Sequence, residues 1–263
     1  MKKRFSVFLF FAFAFTIFLF SCKKSEHNNL LEKVKAKGEL VIATEGVWAP
    51  WTFRNEKNEL VGYDIDISKE ICSRLGVKAR FVELEWERIF ESLLNGSCDI
   101  AANGIGVTSE RAGSFYFSQP YAYSKTVLIV RNENKRINSF KDLQGMSSAN
   151  ALGSTYCDIA ESYGAIIIAV DTFEETMDLL LGSRADSTIN SDVCFYYYMK
   201  NHPDAKIRIA ETSNVVIPVA IPCVREVENL PLLAAINTIL TEMGADGTLS
   251  RLSKKYFKKD ITK

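Results

Sequence analysis

Gly62-Tyr63-Asp64-Ile65-Asp66-Ile67-Ser68-Lys69-Glu70-Ile71-Cys72-Ser73-Arg74-Leu75-Gly76 is the stretch from which the rest of the chain can be read. Ile67, Ile71 and Leu75 fall at i, i+4 and i+8, so a helix over 63–75 has one apolar face. Gly76 stops it, because glycine takes up the left-handed conformation that ends helices. Short apolar runs at 39–43, 79–84 and 99–102 read as strands. Helical patterns cover 86–94 and open again at Thr108. Strands alternating with helices are the mark of an α/β protein. A second unit begins after 117–121, with strands at 126–130 and 166–170 and helices over 154–163, 172–181 and 193–200. Residues 215–224 contain Pro218 and Pro222, which predicts an edge or crossover strand. Helices over 230–243 and 247–256 close the chain.

The N-terminus reads as a targeting segment. Lys2, Lys3 and Arg4 precede a nearly all-apolar run over 5–20. That run falls short of the ~20 residues of a spanning helix. Leu19-Phe20-Ser21-Cys22 follows and resembles a lipobox. We expect a signal peptide over 1–21, cleavage before Cys22, lipidation of Cys22, and a polar tether over 22–30. The remainder, about 235 residues, suffices for one large domain or two lobes. The chain balances 32 basic against 32 acidic residues, and losing the signal leaves a mild acidic excess, so no nucleic-acid footprint is present. Cys72, Cys98, Cys157, Cys194 and Cys223 are an odd set for an exported domain. We read them as buried thiols behaving as small hydrophobes. There is no Cys-x-x-Cys, and His27 and His202 are the only histidines, so neither a metal nor another cofactor is expected.

The stretch 62–76 resembles the signature of bacterial extracellular solute-binding proteins of family 3, which serve polar amino-acid ABC importers. The resemblance implies a two-lobed type II periplasmic binding fold, each lobe a sheet flanked by helices. It places the chain crossings near 123–126 and 223–226, forming a two-crossing hinge. Lobe 1 would comprise 31–124 and 225–263, and lobe 2 would comprise 125–224. It also implies a small-molecule amino-acid ligand, an ABC permease with its ATPase as partners, and a monomer held at a membrane by the Cys22 anchor.

The same resemblance assigns site residues. Arg111, in Thr108-Ser109-Glu110-Arg111, occupies the place of the arginine that grips the ligand carboxylate, and a planar guanidinium suits that role through paired hydrogen bonds. Gly104 and Gly106 would offer backbone groups, and Asn103 would either bond the ligand or brace the loop. Trp48 would stack on the ligand side chain, Trp51 would pack in the core, Trp86 would wall the pocket, and Glu45 would stand near a ligand amine or basic side chain. Gly153-Ser154-Thr155 resembles the turn that presents N–H groups to the carboxylate, with plain helix capping by Ser154 as the alternative. The family's acid for the ligand amine falls five residues after the aspartate of its Gly-Arg-Ala-Asp sequence. Here that place is Ser191 and the acid comes one later, at Asp192. Either Asp192 binds the amine, or Ser191 and Asn190 do so with a water. Asp186 reads as structural.

Arg111 and Asp192 would thus clamp the two ends of a zwitterion. Dehydratases that resemble these binding proteins would need an acid/base in the cleft. Glu45 is the only candidate for that role, so we expect a binding protein and not an enzyme. A sensing module acting in trans is the third class. Resemblance to the cystine and cysteine branch, at Asn103-Gly104-Ile105 and Ser187-Thr188-Ile189-Asn190, points to a neutral polar ligand.

Overall fold

The computed structural model describes residues 29–263. The expected signal peptide, Cys22 and the tether up to residue 28 lie outside the described residues. The chain forms two α/β lobes. In the first, Glu39–Thr44 is the middle strand of a parallel sheet, between Lys78–Glu83 and Ile100–Ala101. Its residues 40–44 are all buried, as expected for a parallel strand covered on both faces. Helix Tyr63–Leu75 packs on one face through Ile65, Ile67, Ile71 and Cys72. Helix Trp86–Leu94 covers the other, placing Ile89 and Leu93 against Val41, Ala43 and Ala101.

The start of helix Tyr63–Leu75 is a tight fit. Gly62 has φ +140°, and a Cβ there would lie 2.2 Å from the carbonyl oxygen of Trp51, so only glycine is accommodated. The helix ends on Gly76 in the left-handed region, whose N–H meets the Cys72 and Ser73 carbonyls. The C-terminal helices Leu230–Ala245 and Thr248–Phe257 return to pack on this helix.

The second lobe is a five-stranded mixed sheet in the order Ile166–Ala169, Ser147–Asn150, Ser187–Ser191, Ala122–Arg131, Ile207–Val219. The first three run parallel, and the last two joins are antiparallel. Ile207–Val219 is an edge strand and so tolerates Pro218. The expected single strand over 215–224 is two pieces. Residues 215–219 finish Ile207–Val219, whereas Pro222–Val224 pairs with Phe115–Phe117 of lobe 1. Val107 N–H also donates to the Pro218 carbonyl and Ala220 N–H to that of Ile105. Residues 218–224 therefore also bond to the first lobe, and the register of Ile207–Val219 against Ala122–Arg131 slips between Thr212 and Val216.

The largest core cluster spans both lobes, joining Trp51, Tyr63 and Ile67 to Val193, Cys194 and Phe195. All five described cysteines are buried and unpaired. Among the described residues no helix is long and apolar enough to cross a membrane.

Candidate ligand-binding cleft

Both lobes present the carboxyl ends of their strands to one cleft, where open α/β sheets bind ligands. The space between them, with its mouth, is about 800 Å³. From lobe 1 it is lined by Glu45, Trp48, Trp86, Gly104, Gly106 and Arg111. Ser154, Thr155, Tyr156, Phe173 and Asn190 face them from lobe 2.

Arg111 lies in the short helix Ser109–Ser114, whose first turn is capped by the Thr108 hydroxyl accepting the Arg111 N–H at 3.2 Å. The guanidinium carbon sits 5.2 Å from the Trp86 ring centre and 5.0 Å from that of Phe90. Nη1 donates to the Gly106 carbonyl at 3.1 Å. Burial pulls its pKa below the ordinary arginine value, against the opposing influence of Asp158, Tyr156 and Glu110. Arg111 forms no salt bridge among the described residues. The result is a partly desolvated cation with unused donors, which an incoming carboxylate would satisfy.

Glu45 follows the central strand Glu39–Thr44. Asn103 holds it twice: Oδ1 accepts the Glu45 N–H at 2.8 Å and Nδ2 donates to Glu45 Oε2. Asn103 is itself fully buried, so it braces the loop. Burial raises the Glu45 carboxyl to about 7, partly offset by the Asn103 hydrogen bond. The next loop residue, Gly104, has φ +58°, and a Cβ there would come within 2.7 Å of the Trp48 ring. Its N–H donates to Asp64, a fully buried carboxylate that also accepts the Tyr121 hydroxyl at 2.8 Å. Burial lifts Asp64 to about 7 despite those two donors.

In lobe 2, Ser154 caps helix Thr155–Ser162, accepting the Cys157 N–H at 3.1 Å. Tyr156 meets Trp48 across the cleft edge to face, with ring centres 6.4 Å apart. Asn190 ends strand Ser187–Ser191 with Oδ1 accepting the Ser191 N–H, which leaves its Nδ2 donors for the cleft.

Asp192 and Ser191 do not line the cleft. Ser191 is buried and caps helix Asp192–Asn201, accepting the Cys194 N–H. Asp192 is the first residue of that helix. One oxygen accepts the Lys125 N–H at 3.1 Å and the other pairs with Lys259 at 2.8 Å. Standing one residue later than the family's acid, Asp192 is thus held by Lys125 and Lys259, outside the residues that line the cleft with Arg111. The acids that reach the cavity are Glu45 and the exposed Asp171 at its mouth. Trp51 packs in the core between Trp48, Tyr63 and Phe257. Asp186 accepts the N–H and hydroxyl of Ser147 and is structural. The sequence reading did not single out Tyr156 or Phe173. Tyr156 directly follows Ser154-Thr155, and Phe173 opens the helix after Thr172, so the first residues of both helices were the available signal.

Comparison with known proteins shows a family and a fold. The profile of "Bacterial extracellular solute-binding proteins, family 3" matches residues 40–259. A probable amino-acid ABC transporter-binding protein of Haemophilus influenzae is 30% identical over 238 residues, 90% of this chain and 92% of that protein. An ancestral arginine-binding protein bound to arginine superposes with a TM-score of 0.78 at 32% identity, covering 84% of this chain and 98% of the other. The L-cystine solute receptor of Neisseria gonorrhoeae, unliganded and open, is 31% identical over 89% of this chain and 98% of its own, yet its TM-score is 0.61. At 32% and 31% identity, the arginine-bound structure superposes with the higher TM-score.

Proposed function

The chain belongs to the bacterial extracellular solute-binding proteins, family 3, and from that premise we propose that it holds one free polar amino acid in the interlobe cleft and delivers it to an ABC permease and its ATPase. Arg111 carries the reading: a guanidinium stacked on Trp86, partly desolvated and without a salt-bridge partner, awaits a carboxylate. Glu45 takes the ligand ammonium in place of Asp192. Gly104, Gly106, Ser154 and Thr155 offer backbone and hydroxyl groups around the carboxylate end, and Asn190 adds amide donors. Trp48, Trp86 and Tyr156 wall the side chain. With Glu45 committed to the ammonium, no second acid lies deep in the cleft, so cystine, cysteine or another neutral polar amino acid is favoured. The protein works as a monomer in the periplasm or at the cell surface, anchored through lipidated Cys22. Intact mass measurement of membrane-extracted protein tests the anchor, and a mature form lacking a lipid on Cys22 counts against it.

A thermal-shift screen of the soluble chain against the twenty amino acids and cystine tests the ligand class. A ligand at 100 times its Kd stabilises by about 2.7 kcal/mol, a rise of roughly 5–11 °C for a chain of this size. No shift with any of them sinks the proposal. A compound that is consumed during the assay replaces binding with turnover, for which Glu45 is the acid/base in the cavity.

A further inference from the structure

We infer that Asp64 is a positioning residue for the cleft: by gripping the Gly104 N–H it fixes the loop 103–106, and through that loop it sets both Glu45 and Arg111. This rests on reading the cleft as an amino-acid site. Asp64 is fully buried, pairs with no cation among the described residues, and spends its two oxygens on Gly104 N–H and Tyr121 hydroxyl. A carboxylate so placed is costly, and the two hydrogen bonds it accepts offset that cost only while Gly104 and Tyr121 stay where they are. What they hold is the hub of the site. Asn103, one residue before Gly104, binds Glu45 through both its amide atoms. Gly106, two residues after it, accepts from the Arg111 guanidinium and bridges to Val219 of the hinge strand. Tyr121 is tied to that strand as well, donating its N–H to the Val219 carbonyl, and its own carbonyl accepts the Tyr63 hydroxyl. One buried acid therefore stands under Glu45 and Arg111, the charged groups of the cleft interior, with Asp171 at its mouth set apart.

The test compares Asp64→Ala, Asp64→Ser and Asp64→Asn. Calorimetric titration uses L-cystine, L-glutamine and L-arginine as probes. Amide hydrogen exchange is followed without ligand. Alanine and serine leave the Gly104 N–H without its acceptor. Both should weaken binding of whichever probe the wild type takes by tenfold or more, and should speed exchange at Glu45 and Gly104 at least tenfold while the helix Tyr63–Leu75 keeps its protection. Asparagine can accept from Gly104 and donate to the Tyr121 oxygen, and should restore affinity to within about threefold. Serine covers the case in which alanine fails to fold. Exchange that is unchanged, or faster uniformly over the whole lobe, overturns the inference, as does undiminished affinity in the serine variant. If the wild type binds none of the probes and no amino acid of the thermal-shift screen, the amino-acid reading falls, and the exchange pattern still decides the role of Asp64.

Discussion

At the scale of single residues, the proposed recognition rests on two charges, Arg111 and Glu45. Arg111→Ala removes the partner of a desolvated carboxylate, a loss of about 2–5 kcal/mol, so calorimetry should show affinity falling thirtyfold or more with the melting temperature nearly unchanged. Glu45 and Asp64 both sit near 7, raised by burial and only partly compensated by Asn103 for the first and by Gly104 and Tyr121 for the second. The folded protein holds these protons more tightly than the unfolded chain. Their stabilising contribution is therefore full below the ordinary carboxylate range and drains away as pH rises toward 7. Ligand-free protein should melt higher at pH 5 than at pH 8 on their account, and Glu45→Gln should flatten part of that slope. Amino-acid affinity should run the other way, because the ammonium needs an ionised Glu45. It should fall by up to about tenfold per pH unit well below 7, and Glu45→Gln should abolish the trend. That Arg111 lines the cavity was legible because its neighbours Thr108 and Phe117-Ser118-Gln119-Pro120-Tyr121 frame it in sequence. The direction of Asp192 was not, since helix capping by Ser191 decides which way it faces, and a cap is a three-dimensional event.

Among the elements, helix Tyr63–Leu75 has the bounds that its period and its glycines predict. Its first turn depends on Gly62. Gly62→Ala combines a left-handed φ with a 2.2 Å approach to the Trp51 carbonyl and should cost about 3 kcal/mol or more. Thermal denaturation should record a drop of roughly 6–12 °C, and a variant melting with the wild type would contradict the packing described. Polar strands were harder to read. Ser147–Asn150 and Ser187–Ser191 lack the β-branched, alternating pattern of a strand signal, yet they lie inside the second sheet because their side chains bond one another's backbone. Thr188 donates to the Ala149 carbonyl and Asn150 to that of Ile189. The pieces Val47–Trp48, Thr52–Arg54 and Leu60–Val61 are too short to carry a period at all.

For the whole molecule, closure joins lobes through contacts away from the ligand. Lys259, near the C-terminus, pairs with Asp192 and lies over Tyr196, while the Ile261 carbonyl accepts the Tyr123 N–H. A partly exposed pair of this kind is worth about 1 kcal/mol at most. Lys259→Ala should thus shift the lobes toward opening and weaken ligand affinity by no more than about fivefold. Small-angle scattering of the ligand-free variant should give a larger radius of gyration than wild type; equal radii would leave the pair without a part in closure. The alternation of strands and helices made the α/β class legible, whereas the two-lobed plan came from the resemblance carried by 62–76, because length alone allows one large domain or two lobes. That Pro222–Val224 pairs with Phe115–Phe117 was not legible, since prolines on an edge strand do not reveal its partner.

The chain has three tryptophans, and none is remote from the cleft. Trp48 and Trp86 line it, and Trp51 lies against Trp48 with ring centres 6.1 Å apart. Indole emission from this protein is thus a signal of the cleft with no background from elsewhere. When the lobes part, Trp48 leaves Tyr156 for water and its emission should move to longer wavelength; capture of a ligand should move it back. The unlabelled protein is an optical sensor of its own occupancy, and a stopped-flow trace of that emission would time the closing of the lobes.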